Sequence, residues 1–476
     1  MTTLGALLAA AGIDAPIPAD ASGITVSTVE LDSRKCMAGS VFVCMDGTTT
    51  SGTAFVDDAI SRGAVCVVAA TPVPNAPVVV TVEPDTMRGA LAALSGAVVG
   101  WPADALTLAG VTGTNGKTTV TWLVRGILSE IGYTAATIGT LTGERTTPAA
   151  PDMQRELRTI ADAAAASQRP GAAAIEVSSH ALDQGRVDGI RFDVAVFTNL
   201  SHEHLDYHGS MASYFEAKAA LFESSRAAAA VVCVDDEWGR ALCERRGVPT
   251  VQVDSSDADL LDADLGSTRF RWQGVDVTTP LTGLVNVTNA MLALAAVEVL
   301  GVDVHEAARA LSLVGAVPGR LELVGSPAVQ VLVDYAHTPA ALERVLRDLR
   351  SIRPTSRFVV VFGCGGSRDR AKRPLMGAIA SQLADEIVVT SDNPRGEDPE
   401  AIIDEVLAGA NGPATVQRVV DRAAAIASAV TRASDGDVVL IAGKGHETTQ
   451  EIEGRLEPFD DRIIAAAALE ARSSAC

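Results

Sequence analysis

Residues 110–120 read Gly-Val-Thr-Gly-Thr-Asn-Gly-Lys-Thr-Thr-Val, a glycine-rich turn between an apolar run and an amphipathic stretch. The run Ala105 to Val111 predicts a buried strand. Thr119 to Ile131 predicts a helix with Val120, Leu123, Val124, Ile127, Leu128 and Ile131 on one face. Gly113 and Gly116 let backbone N–H groups close around phosphate oxygens at a helix N-terminus, where the dipole favours anions. Lys117 is spaced to reach outer phosphates and Thr118 to offer a hydroxyl to Mg²⁺, with Thr114, Asn115 and Thr119 completing the loop. The usual phosphate-loop pattern begins with Gly; here Val111 stands at that position, so the match is to a shortened variant. The chemistry implied is that of a nucleoside triphosphate, with ATP and Mg²⁺ as the ligands expected.

The rest of the composition narrows the partners. At 476 residues the chain has room for three domains of roughly 150 residues each. Its net charge of −21, without a basic block, argues against nucleic acid and anionic membranes. An anionic substrate then needs local cations, so isolated Arg and Lys near glycines gain interest. Seven cysteines, Cys36, Cys44, Cys66, Cys233, Cys243, Cys364 and Cys476, show no paired spacing. They read as reduced thiols of a cytoplasmic protein, not as a disulfide or zinc framework. Met1 to Gly12 is apolar but has no basic flank, the first cation being Arg34, and reads as a short helix, not a signal peptide. No apolar run approaches the ~20 residues of a membrane span.

Strand and helix patterns divide the chain into three α/β segments. Residues 1–101 alternate short strands (Val41 to Met45, Ala64 to Ala69, Val78 to Val82) with helical stretches such as Thr86 to Val99, and Trp101-Pro102 marks a break. Residues 102–318 hold the phosphate loop in a parallel-sheet pattern. There Asn286 to Leu300 predicts a strong helix, with Asn286 as its N-cap. After Pro318-Gly319, residues 319–476 restart the alternation: strands Val329 to Val333, Phe358 to Phe362, Glu386 to Thr390 and Val438 to Ile441, helices Pro339 to Leu349 and Arg373 to Leu383, and a closing helix from Asp461. That is a second doubly wound, Rossmann-like sheet.

Two strands in the middle segment, Ala172 to Val177 and Val194 to Thr198, end in polar residues, and ligands of open α/β sheets gather at such carboxyl ends. Glu176 and His204 therefore stand where a metal ligand belongs. Four of the seven histidines, His180, His202, His204 and His208, fall here. Such a cluster suits metal or catalytic chemistry, or simply a solvated loop. Lys218, within a helix Ala212 to Phe222, reads on its own as a snorkelling surface lysine.

The stretches Gly-Thr-Asn-Gly-Lys-Thr-Thr, Glu-Val-Ser-Ser-His, Thr-Asn-Leu-Ser-His-Glu-His-Leu-Asp-Tyr-His-Gly and Tyr-Phe-Glu-Ala-Lys occur in order. So do Asp-Tyr-Ala-His-Thr-Pro (334–339) and Gly-Cys-Gly-Gly-Ser-Arg-Asp (363–369). Together they resemble the Mur ligases of peptidoglycan synthesis, from about Val29 onward. The resemblance implies ATP-dependent addition of an amino acid to a UDP-N-acetylmuramoyl dipeptide through an acyl phosphate, by a monomer. It implies that Lys218 is carbamylated and holds a second Mg²⁺ with His204, while Thr118 and Glu176 hold the first. Lys117, Lys218 and His204 become the catalytic set.

By the same resemblance, Asn286 and Asn289 face the base, Arg320 the phosphates and Asp334 the ribose. Ser33, Thr146, Thr147, Ser178, Gln184 and Arg186 meet the nucleotide sugar. The loop Thr48 to Phe55 departs from the usual pattern, which weakens any uridine assignment there. Asp392-Asn393-Pro394-Arg395 matches the members that add meso-diaminopimelate, and a second carboxylate on that amino acid suits an arginine fork. Arg368, Gly443 and Glu447 complete that pocket, Glu447 facing an ammonium group. The alternatives are the lysine-adding member, folylpolyglutamate synthase (which shares the central domain but lacks Asp-Asn-Pro-Arg) and a non-catalytic nucleotide-binding scaffold.

Overall fold

The computed structural model describes residues 2–47, 50–143, 145–245, 247–325 and 329–475. Thr48 and Thr49, at the start of the loop that departs from the usual family pattern, and Cys476 lie outside them. The chain forms two compact units, Met1–Ser255 with Asn289–Ala310, and Ser256–Thr288 with Leu311–Cys476.

The first unit contains two parallel sheets. The smaller runs β1 (Thr28–Glu30), β2 (Ser40–Val43), β3 (Ala64–Ala69), β4 (Val79–Thr81) in that order. The larger is built from β5 (Leu106–Thr112), β6 (Thr134–Ile138), β7 (Gly171–Glu176), β8 (Phe192–Phe197), β9 (Ala227–Cys233) and β10 (Thr250–Val253). Its order is β10-β9-β8-β5-β7-β6, all pairs parallel. β7 is buried throughout and β8 nearly so, because helices cover both faces of such a sheet. This accounts for the unbroken apolar runs Gly-Ala-Ala-Ala-Ile and Val-Ala-Val-Phe, whose burial stabilises by roughly 1.5–3 kcal/mol per large side chain. The order reverses between β5 and β8, which opens a crevice at their carboxyl ends.

In the second unit the parallel expectation fails over residues 259–279. β11 (Asp259–Asp264), β12 (Ser267–Trp272) and β13 (Val275–Thr279) form an antiparallel meander. The turn between β12 and β13 has φ +48 at Gln273 and +78 at Gly274, the backbone of a two-residue hairpin. The alternating burial of β12 fits a sheet with one wet face. The main sheet comprises β14 (Glu322–Val324), β15 (Gln330–Asp334), β16 (Phe358–Phe362), β17 (Glu386–Val389), β18 (Thr415–Arg418) and β19 (Val438–Ala442). Its order is β14-β15-β19-β16-β17-β18, with only β14 antiparallel. A final hairpin, β20 (Thr449–Ile452) with β21 (Arg455–Pro458), was not anticipated; its turn repeats the same backbone at Glu453 and Gly454.

The helix expected from Asn286 begins earlier, at Leu284, and runs to Val299. Asn286 is therefore not its cap. It lies buried in the first turn, where Nδ2 donates to the Thr282 carbonyl at 2.7 Å.

A buried ion pair holds the sheet's carboxyl edge in the second unit. Arg422 and Asp461 are both 0% exposed and paired at 2.7 Å. Arg422 also donates to the carbonyls of Ser391, after β17, and Ala442, at the end of β19. It thus pins two strand ends to the start of the closing helix Asp461–Ala475. Arg422→Ala leaves a buried carboxylate without its partner, so a loss of ~3–5 kcal/mol is expected in urea unfolding. Replacing both residues with apolar side chains (Arg422→Met with Asp461→Leu) is expected to cost less, even though two carbonyls then lose a donor.

Candidate functional site

The phosphate loop follows β5 directly. Gly113 (φ +146) and Gly116 (φ +88) adopt backbones that favour glycine. Space also demands glycine: a Cβ on Gly113 would lie 1.9 Å from Thr198 Oγ1, and one on Gly116 would lie 2.6 Å from Asn289 Oδ1. The helix then starts at Lys117 and runs to Glu130, so its N-terminus faces the loop. Thr114 and Asn115 are stitched to the end of β8 by Thr114 N to Asn199 O (2.8 Å) and Asn115 N to Asn199 Oδ1 (3.0 Å).

Two lysines converge on one carbonyl. Lys117 Nζ donates to Gly113 O (2.8 Å) and Thr114 O (2.7 Å), and Lys218 Nζ donates to Gly113 O at 2.8 Å. Lys218 is 1% exposed, so it is not the snorkelling surface lysine its sequence context alone suggested. Burial first, then the charge of Lys117, pushes its pKa well below the ordinary lysine value. Its ammonium stands 4.6 Å from the Tyr214 ring centre, and the His204 ring lies 6.1 Å from the same ring. Tyr214 thus joins two of the expected catalytic residues, and its hydroxyl lies 3.3 Å from Thr114 Oγ1. The sequence reading missed Tyr214 because an aromatic on a helix reads as core.

Glu176, at the end of β7, is buried and takes three hydrogen bonds: from Thr118 Oγ1 (3.0 Å), Thr140 N (2.8 Å) and Thr140 Oγ1 (3.2 Å). A hydroxyl and a carboxylate at this distance offer oxygen ligands of the kind a hard divalent cation takes. Among the described residues no group of three or more His, Cys, Asp and Glu side chains is assembled for a metal. The four expected histidines divide. His180 packs on Tyr207 (4.1 Å), His204 (5.0 Å) and His208 (5.5 Å). Burial, then the charges of His204 and His208, holds His180 below the usual imidazole range. His208 is tied to Ser179 Oγ at 2.9 Å. His202 is exposed.

The residues expected at the nucleotide sugar form one network, apart from Ser33. Thr147 Oγ1 donates to the Glu176 carbonyl (2.7 Å) and lies 3.2 Å from Ser178 Oγ; Arg186 donates to Thr147 O (2.9 Å) and Gln184 Oε1 (2.6 Å). Thr146 receives a hydrogen bond from Thr140 at 3.2 Å. Beside them a cleft of about 410 Å³ is lined by Leu31, Asp32, Arg34 and Lys35 on one side and by Arg145, Pro148, Asp152 and Arg155 on the other. Ser33 is not in that lining: it is buried, and its side chain bonds the Asp58 carboxylate. Arg155 spans the cleft's base, pairing with Glu30 (2.8 Å) and Asp152 (2.6 Å).

The remaining expected residues lie in the second unit, apart from Asn289, which abuts Gly116 in the first. Arg320 stacks on Tyr335 at 4.5 Å. Asp334 ends β15, and both its oxygens already accept backbone N–H bonds, from Leu321 (2.8 Å) and Ala336 (2.7 Å). Asp392, Asn393, Pro394 and Arg395 follow β17, and Gly443 and Glu447 follow β19. Gly443 (φ +119) must lack a Cβ, which would lie 2.6 Å from Asp392 Oδ2. Lys444, 0% exposed, ties Asn393 Oδ1 (3.1 Å) and Glu447 Oε2 (2.8 Å) together. Burial raises the Glu447 pKa, but the charge of Lys444 and its hydrogen bonds outweigh that and leave it lowered. Arg368 is exposed on the loop after β16.

Three family profiles match in chain order: the Mur ligase family catalytic domain over residues 25–94, the Mur ligase middle domain over 111–297 and the Mur ligase glutamate ligase domain over 319–445. The chain belongs to the Mur ligase family. It is 44% identical to UDP-N-acetylmuramoyl-L-alanyl-D-glutamate–2,6-diaminopimelate ligase of a Synechococcus species, over 98% of this chain and 99% of that one. Identity to the protein of the same name from Xylella fastidiosa is 42%, over 95% and 96%. A solved structure of a ligase of that name superposes with a TM-score of 0.68 at 33% identity, covering 99% of this chain and 100% of the other.

The loop geometry of this Mur ligase makes Gly113 the most sensitive position for nucleotide. Gly113→Ala is expected to weaken ATP binding about ten-fold or more in titration calorimetry while leaving the far-ultraviolet dichroism intact. Gly132→Ala, at φ +101 but with open space around it, serves as the control and keeps its affinity.

Proposed function

We infer that this chain is an ATP-dependent ligase that joins meso-diaminopimelate to UDP-N-acetylmuramoyl-L-alanyl-D-glutamate in peptidoglycan precursor synthesis. The observation that carries this reading is identity of 42–44% along nearly the whole length of relatives named for that reaction. The segments 1–101, 102–318 and 319–476 are read as UDP-sugar, ATP and amino-acid domains, and each contains one of the parallel sheets. Among the described residues no helix is long and apolar enough to cross a membrane.

The chemistry follows from the site. Amides of Gly113 to Thr118, at a helix N-terminus, cradle the phosphates, and Lys117 turns from the loop carbonyls to the transferring γ-phosphoryl group. A carboxylate oxygen of the D-glutamyl residue bonds to the γ-phosphorus as the bond to ADP breaks, giving an acyl phosphate. The amine of diaminopimelate then adds to the acyl carbon, loses a proton, and the tetrahedral species expels phosphate to leave the amide. Thr118 and Glu176 fit one Mg²⁺, and His204 with carbamylated Lys218 a second; bound there, Mg²⁺ supplies charge neutralisation for the phosphoryl oxygens. Burial favours the neutral amine of Lys218, the form that can take up carbon dioxide, and a carbamate nitrogen keeps one N–H for the Gly113 carbonyl. Thr146, Thr147, Ser178, Gln184 and Arg186 hold the sugar nucleotide beside the cleft, and Asn286, Asn289, Arg320 and Asp334 the adenosine side. Arg368 and Asp392 to Arg395, with Gly443 and Glu447, select the amino acid.

Three measurements test these roles. Lys218→Ala is expected to lose nearly all turnover and to regain part of it with formate or acetate, whose carboxylate replaces the carbamate; near-normal activity without rescue overturns the metal role. In competition between diaminopimelate and lysine, only the diaminopimelate product mass is expected. Arg395→Ala should raise the KM for diaminopimelate by about 10- to 100-fold, as loss of a charged bidentate contact implies, with the KM for ATP nearly unchanged.

A further inference from the structure

Arg395 is strained and held. Its φ of +54 is left-handed, a conformation costly for a residue with a Cβ. Hairpin β20–β21 holds it there. Arg395 N donates to Glu451 O at 2.9 Å, and Glu453 N donates to Arg395 O at 2.6 Å, so Arg395 pairs with Ile452 as an extra rung. The side chain is fixed as well: Nε donates to Glu451 Oε2 (3.1 Å) and Nη1 to Gly366 O (2.8 Å). Among the described residues Nη2 makes no hydrogen bond. A guanidinium is planar with donors in fixed directions, so fixing Nε and Nη1 fixes where Nη2 points.

Glu451 is not a loose rim partner. Its N–H donates to Asn393 Oδ1 at 3.0 Å, the same oxygen that accepts from buried Lys444. Lys444 also holds the Thr449 carbonyl at 2.7 Å, which anchors the first residue of the hairpin. The hairpin lies beyond residue 445, the last position matched by the family profiles.

We propose that Glu451 is a positioning residue for amino-acid selection: its carboxylate, carried on the β20–β21 hairpin, orients the Arg395 guanidinium toward the distal carboxylate of diaminopimelate. This rests on the assignment of Arg395 under Proposed function. An ordinary exposed ion pair contributes little; a pair that aims a fork contributes through the substrate, and the two differ in what they move.

The test is steady-state kinetics on the full chain with Glu451→Ala, Glu451→Gln, Arg395→Ala and the Glu451→Ala/Arg395→Ala double variant. Glu451→Ala is expected to raise the KM for diaminopimelate about ten-fold, the equivalent of ~1.4 kcal/mol, with kcat and the KM for ATP little changed. Glu451→Gln should recover most of the loss, because an amide oxygen still accepts from Nε. In the Arg395→Ala background Glu451→Ala should add nothing, as expected of residues acting through one contact. If Arg395→Ala raises this KM and Glu451→Ala and Glu451→Gln both leave it at the wild-type value, Glu451 is a bystander and the proposal falls alone. An undiminished effect of Glu451→Ala in the Arg395→Ala background overturns it too. No change in Arg395→Ala itself removes the assignment of Arg395 and the proposal together.

Discussion

The Gly113 carbonyl accepts a hydrogen bond from each of two lysine side chains. In a chain of net charge −21, Lys117 and Lys218 both donate to this one oxygen at 2.8 Å. Two cations in a buried place repel, and the depressed pKa of Lys218 records part of that cost. What such a place favours is an anion. The sheet order supplies the rest of the environment: β5 lies between β7 and β8, so their carboxyl ends bring Glu176 and Thr198 to either side of the loop. Glycine at 113 is required because Thr198 fills the space a side chain would need.

Buried cations in the second unit work differently. Arg422 and Lys444 both have 0% exposed side chains, but each is held by several oxygens of its own unit. Arg422 fixes strand ends through an ion pair with the closing helix. Lys444 fixes the loop after β19 to Asn393 and to the hairpin. Burying a charge is costly unless it is paired and hydrogen-bonded, and here that demand sets loop conformation. Arg395, by contrast, has a 25% exposed side chain and keeps an open donor.

How much of this was legible depended on distance along the chain. Strands Ala64–Ala69 and Phe358–Phe362 have the bounds that their apolar runs predict. The phosphate loop was legible because its glycines, lysine and threonine act within a few residues of one another. The meander over 259–279 was not, because its strands are polar on one face, and the Gln273-Gly274 turn that defines it is a weak sequence signal. Asn286 was misplaced as a cap because an Asn ahead of an apolar run fits a cap as well as a first turn. Ser33, placed at the nucleotide sugar by its motif, bonds the Asp58 carboxylate, a partner that no local pattern reveals. Tyr214 and Glu451 escaped notice for a related reason: each matters only through a partner far away in sequence, Thr114 for one and Arg395 for the other.

Left-handed backbone outside glycine ties the two kinds of observation together. Gln273 and Glu453 have positive φ because two-residue hairpin turns require it, and those positions need no functional explanation. His204, Leu321, Ser367 and Arg395 are not hairpin turns, and each has positive φ. Strain of this kind persists only where the surroundings over-determine it. For Leu321 the restraint is its N–H bond to Asp334; for Ser367, its N–H bond to Glu397; for Arg395, the hairpin. Glu397 is in turn gripped by Arg373, a 0% exposed side chain paired to it at 3.0 Å. His204, Arg320 beside Leu321, Arg368 beside Ser367, and Arg395 are all residues for which a contact with a ligand is proposed. Asn75, Trp101 and Gln168 share the left-handed backbone without any such neighbour, so it is the restraint by partners distant in sequence, at Leu321, Ser367 and Arg395, that sets these positions apart.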